Sequence, residues 1–248
     1  NIASLSIPVK EKSSLDKLAF WLYIQNIVMK QCFELRGDTM AKQIEGVYEN
    51  VLRCARREFL EKGFRGATLR SIAASVGVTT GAIYRYFANK EALFHALTAE
   101  PAETFLKRYQ AYSDNFSRQG LDLQLAALPE VSARPNGAIE QLMQYIYQHY
   151  DAFKLIACCA GGTEYEDYAE RLTEIETKSG TVLVHLLKKE NRMTADMDDT
   201  LIHIISNTIF TGIFEIIAHD DNANDAEKHI NALYDFYTAG WYEILGIR

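Results

Sequence analysis

The sequence predicts an all-α protein, with a three-helix unit near the N-terminus and a larger helical body after it. Three observations lead there. From Ile44 onward, apolar residues recur at three- and four-residue steps: Ile44, Val47, Tyr48, Val51, Leu52, Ala55 and Phe59. Between Thr68 and Leu97 two very short helical patterns are separated by a glycine turn. No stretch alternates apolar and polar residues at the period of two that a strand requires.

Composition bounds the rest. The chain has 248 residues, 48% hydrophobic and 24% charged, with 4 prolines and 14 glycines, which is ordinary globular composition. Its four cysteines are Cys32, Cys54, Cys158 and Cys159, and no C-x-x-C pair occurs. A disulfide framework is therefore not expected, and a reducing cytoplasm fits. No cofactor motif is present and none is expected. The formal net charge of −7 argues against nucleic acid as a partner, but its distribution reverses this. Residues 41–95 carry nine bases against five acids, a net +4, which leaves −11 on the remainder. A basic segment on an acidic body is the electrostatic footprint of a polyanion binder.

Residues 1–39 read as an N-terminal extension, poorly ordered or lying upstream of a natural start at Met40. Leu18–Met29 is apolar but shorter than the ~20 residues a membrane span needs, so no membrane is expected as a partner. The first helix runs from Ile44, and Gly63 suits the position that ends it. Thr68 caps a second helix ending near Ser75, Gly77 turns the chain, and Thr79 caps a third helix. Asn89 caps a fourth running toward Tyr112. A polar gap follows from Ser113 to Gly137, then helices at about 138–159, 163–190, 196–218 and 224–245.

Two short helices joined by a glycine turn are the helix-turn-helix arrangement, whose second helix enters a DNA major groove. The residue types fit that task. Thr80, Gly81 and Ala82 are small enough to let the backbone approach base edges, and Arg85 can reach a guanine or a phosphate. Tyr84 and Tyr86 offer hydroxyls to phosphates, Thr68 can hold a phosphate at the start of its helix, and Thr79 is a further candidate DNA contact. Lys90, at the start of the fourth helix, is placed to grip a phosphate. The expected partner is double-stranded DNA, which the family resemblance given below would make operator DNA.

The segment GFRGATLRSIAASVGVTTGAIYRYFANKEAL resembles the DNA-binding segment of the TetR/AcrR family of bacterial transcriptional regulators. The matching positions are Thr68, Ile72-Ala73, Gly77-Val78-Thr79, Gly81, Tyr84, Tyr86-Phe87 and Lys90-Glu91-Ala92-Leu93; Val76 departs from the usual Ala. The closing FYTAGWYEILG is similar to some regulators of Gram-positive bacteria. The resemblance implies a homodimer with a DNA-binding domain at 40–95 and a ligand-binding and dimerisation domain at 96–248. It also implies repression relieved by an unknown small-molecule effector.

In the body, the aromatic and polar mixture of Phe105, Tyr109, Tyr145, His149, Tyr150 and Phe153, with Cys158 behind, is the candidate effector lining. Ile205, Ile209, Ile213, Phe236 and Trp241 are the candidate dimer contacts, because the last two helices carry more apolar surface than one mutual face covers. His149, Cys158, Glu164, Glu166 and Asp167 lack a diagnostic metal spacing, so no metal is expected. Two competing readings remain. One is an architectural DNA-binding protein with a solid core; the other is a helical enzyme using the Glu164/His149 region.

Overall fold

The computed structural model describes residues 46–127, 138–193, 195–219 and 222–246. The chain divides into two compact units, residues 1–50 and 51–248. Of the first unit only 46–50 are described, and they are helical. The extension at 1–39, Met40 and the helix start at Ile44 lie outside the described residues.

The second unit is built from ten helices among the described residues, with no strand. The first three are α1 (51–66), α2 (Leu69–Val76) and α3 (Thr80–Ile83). A long helix, α4 (Lys90–Ser117), follows, then α5 (Leu121–Ala127), α6 (Ala138–Gln148) and α7 (Tyr150–Cys159). The chain closes with α8 (Tyr168–Lys189), α9 (Asp199–His219) and α10 (Ala223–Leu245).

Local chemistry explains the helix starts. Thr68 Oγ1 accepts from Ser71 N at 3.1 Å, Thr79 Oγ1 from Ala82 N at 3.2 Å, and Asn89 Oδ1 from Ala92 N at 2.7 Å, so all three expected caps are in place. Gly77 closes α2 with φ +80°. Gly63 also takes a left-handed φ of +69°, yet helical turns resume and α1 continues to 66 rather than ending there.

Three expectations need correction. The polar gap is partly helical: α4 extends to Ser117, and Leu121 and Gln124 are buried on α5. The single helix expected at 138–159 breaks at His149, whose φ −113° and ψ 30° are not helical. The helix expected from 163 starts at Tyr168, because residues 160–167 form turns with Gly162 at φ +91°.

Two apolar clusters organise the unit. Under the short helices, Phe59, Phe64 and Phe94 pack with ring centroids 5.2–5.9 Å apart, beside buried Ile72, Ile83 and Leu93. In the body, α9 packs between α8 and α10. It is long and apolar enough, by length and composition, to cross a membrane. Here Ile202, Phe210, Ile213 and Ile217 turn inward while Leu201 and Ile204 stay exposed. Backbones approach closely along this seam: a Cβ on Gly212 would lie 2.8 Å from Leu233, and one on Gly180 3.0 Å from Ile202.

Candidate DNA interface and enclosed cavity

The helix-turn-helix presents one outward surface. Thr68, Thr79, Gly81, Tyr84 and Arg85 are exposed, and Thr80, Ala82 and Tyr86 are partly so. Gly81 has an ordinary φ, and a Cβ there would meet nothing nearer than Thr79 Oγ1 at 3.8 Å. The fold therefore does not require glycine at this position. What the missing side chain leaves free is an approach from outside.

Charge on this surface is partitioned. Arg56 pairs with Asp151, Arg57 with Glu61, Lys62 with Glu58, and Arg65 with Glu166. Arg70 and Arg85 are exposed and enter no ion pair among the described residues. Both lie within the helix-turn-helix.

The Lys90 ammonium is turned inward. It donates to the carbonyls of Phe64 at 2.6 Å and Ala67 at 3.0 Å, with Arg65 O at 3.5 Å, and sits 4.4 Å from the Phe64 ring centroid. Its charge meets the carbonyl end of α1, where a cation is favourable. The first turn of α4 is thereby tied to the end of α1.

The acids around 164–167 tie this unit to the body. Glu164 Oε1 lies 2.7 Å from His95 Nδ1, and Tyr165 Oη lies 3.1 Å from the same nitrogen. Glu166 accepts from Gly162 N at 2.8 Å and pairs with Arg65. Gly162 is needed here for its φ of +91°, and a Cβ there would also crowd Arg65 Nε at 3.1 Å. Cys159 Sγ lies 3.1 Å from Phe59 O. No metal-binding group of His, Cys, Asp and Glu occurs among the described residues.

The body holds a partly open cavity of about 120 Å³ between α4, α8, α9 and α10, with Ala127, Leu142 and Met143 of α5 and α6 also in its wall. Of the expected effector lining, only Phe105 and Tyr109 reach it. Tyr145 instead packs under the Arg108 guanidinium and near Glu100, and Phe153 is buried against Phe105. Tyr150 and Lys154 donate to Ile217 O and Ala218 O at 3.3 and 3.0 Å, with Cys158 Sγ 3.8 Å from the latter carbonyl. These side chains finish the C-terminal end of α9. His149 and Tyr150 border a separate, more open cleft with Arg56 and Pro101. Of the expected dimer contacts, Ile209, Ile213 and Trp241 face the cavity, Ile205 packs beside the α8–α9 core, and Phe236 points to solvent at 74% exposure.

The sequence reading missed Tyr112, Glu176, Ser206 and Tyr234 in the cavity wall. Tyr109 donates its hydroxyl to Glu176 Oε2. Burial pushes the Glu176 carboxyl above its usual range, with the Tyr109 bond opposing. Burial, with Glu176 nearby, pushes the Tyr112 phenol up to about 12. The missed signal was periodicity: Glu176 sits four residues from both Leu172 and Gly180, on the buried stripe of α8.

Residues 51–97 match the family model described as bacterial regulatory proteins, tetR family. The HTH-type transcriptional repressor AcnR of Corynebacterium diphtheriae is 46% identical over 54 residues, 22% of this chain and 28% of that protein. The HTH-type transcriptional regulator UidR of Escherichia coli strain K12 is 32% identical over 73 residues, 29% of this chain and 37% of that protein. The matched region thus spans less than two-fifths of either relative's length. Among solved structures, a putative TetR-family regulator from Syntrophomonas wolfei is similar at 18% identity, covering 82% of this chain and 99% of that one, with TM-score 0.47.

Proposed function

We propose, from the match of residues 51–97 to the tetR family model, that the chain is a ligand-responsive transcriptional regulator of that family, a cytoplasmic repressor released from a palindromic operator by a small molecule. The observation that carries the reading is the outward face of the helix-turn-helix. Small residues at Thr80-Gly81-Ala82 leave room for a base edge, and the uncommitted guanidinium groups of Arg70 and Arg85 flank them. Thr68, Thr79, Tyr84 and Tyr86 supply hydroxyls for phosphates. With the Lys90 charge held by carbonyls, its place in the phosphate grip passes to the free backbone N–H groups that open α4.

Residues 40–95 act as the reading domain and 96–248 as the sensing and dimerising one, with α4 spanning both. The cavity in the body favours a sensor over an architectural protein, which would need only a solid core. Glu164 and Glu166, two of the acids an enzyme would use, are engaged by His95 and by Gly162 and Arg65, and His149 packs on Tyr145 rather than beside them, so catalysis is not part of the reading. Two copies pair through α9 and α10, and their reading helices address half-sites about one duplex turn apart, ~34–36 Å.

The test is selection of a binding site from genomic fragments, then fluorescence anisotropy on the selected duplex. Arg85→Ala should weaken operator binding by about 1–3 kcal/mol and relax the preference at one base position. Unchanged affinity and preference in an Arg70→Ala/Arg85→Ala double variant would overturn the assignment.

A further inference from the structure

We propose that the cavity of the body receives a small organic monocation carrying one aromatic or alkyl group, with its positive charge against Glu176 and its apolar part among tyrosine and tryptophan faces. The inference rests on the sensor reading above and names the chemical class of its ligand.

Glu176 carries the charge argument. It is the only acidic residue in the cavity wall, and no Lys, Arg or His lines the cavity among the described residues. Its one hydrogen-bond partner there is the Tyr109 hydroxyl, a neutral donor. A carboxylate withdrawn from water without a cation is unfavourable, and folds ordinarily pair such a group or replace it. Among the described residues no counter-charge faces this carboxylate, and the space beside it is open. A ligand cation would supply what the fold omits.

The walls favour the same class. Tyr109, Tyr112, Tyr234, Tyr237 and Trp241 surround the space, and ring faces attract a cation most strongly where water is excluded. An anion would meet the carboxylate and the negative faces of these rings. Ser206 gives an independent sign that something is to be bound. Ser206 is among the residues that line the cavity, it is 1% exposed, and its Oγ is buried with no hydrogen-bond partner among the described residues. An orphaned buried hydroxyl in an apolar helix is unfavourable unless a ligand or water completes it. Size sets the scale: at about 120 Å³ the cavity is close to one that holds a single benzene ring.

The experiment titrates the full chain at pH 7.5, by calorimetry, with three probes of nearly equal size: phenethylammonium, 2-phenylethanol and phenylacetate. The cation should bind at least about tenfold more tightly than the alcohol, and phenylacetate more weakly than either. Glu176→Gln should erase the cation's advantage and keep alcohol binding. Should that variant fold poorly, Tyr234→Leu must reduce cation affinity more than alcohol affinity. The proposal is overturned if the cation does not bind, if the alcohol or phenylacetate binds as tightly, or if both variants keep the preference. Operator release is measured separately with the same probes. A cation that binds through Glu176 without changing DNA affinity keeps the ligand class and removes the sensor reading. Release by 2-phenylethanol but not by the cation does the reverse.

Discussion

Arg70 and Arg85 are the guanidinium groups of the reading unit that the fold leaves uncommitted, and this makes them separable from their neighbours by experiment. Lys90 is the contrasting case. Because its ammonium meets carbonyls 64, 65 and 67, Lys90→Met should lower the melting temperature, losing about 1–3 kcal/mol of stability. The salt dependence of DNA binding by the folded variant should stay unchanged, and a slope reduced by about one would return Lys90 to the phosphates. Glu176 yields a pH prediction. Its folded pKa is raised, so the fold favours the protonated acid. Below the ordinary carboxyl range both folded and unfolded states are protonated and burial carries no ionic penalty. As pH rises through the raised folded value, that advantage is lost. Glu176→Gln should therefore be more stable than the parent chain at neutral pH, with the gap closing as pH falls toward 4, as followed by thermal melts. The facing groups are phenols, Tyr109, Tyr112 and Tyr234, all with pKa values pushed upward, so they do not titrate in that window.

At the scale of elements, the turn between α7 and α8 is the piece that joins reader to body. Gly162→Ala would force a side chain into φ +91° and against Arg65, so a loss of more than about 1 kcal/mol is expected in denaturant titration. A His95→Ala/Glu164→Ala double-mutant cycle, scored on ligand-induced release of DNA, should show non-additivity if this tie transmits the signal. Legibility in the sequence varied with the range of the interaction. Caps at Thr68, Thr79 and Asn89 are satisfied within three residues, so local pattern sufficed to find them. The break at His149 was hidden, because Leu142, Tyr145, His149, Phe153 and Ile156 keep three- and four-residue steps straight through the non-helical residue. The cavity was half legible. Phe105 and Tyr109 lie on one helix face, whereas their partners Glu176, Ser206 and Tyr234 come from three other helices, and only tertiary packing brings them together.

For the whole molecule, the unpaired surface is concentrated on the last two helices. Leu201 and Ile204 on α9, and Phe236 and Ile244 on α10, are large apolar side chains left in solvent. Burying a Phe side chain contributes about 1.5–3 kcal/mol, and a twofold contact uses each residue twice. Phe236→Glu should therefore shift the chain from dimer to monomer by light scattering, whereas Ile213→Ala should loosen the core, because Ile213 is 4% exposed within one chain. A Phe236→Glu variant that stays dimeric at micromolar concentration would place the interface elsewhere. α4 runs from Lys90 to the cavity-facing Tyr109, ~28 Å along its axis at 1.5 Å per residue. Its first turn is locked to α1 through the Lys90 ammonium and the Phe59–Phe64–Phe94 cluster. On the proposed reading, a tilt of α4 would carry the three short helices with it as one piece, without altering how Thr80, Gly81 and Arg85 stand toward a base pair. Two properties of an operator thus become independent: which letters are preferred, and how many base pairs separate its halves. Sequencing of bound fragments with and without inducer should recover the same letter preferences in each half-site, with only the tolerated spacing changed.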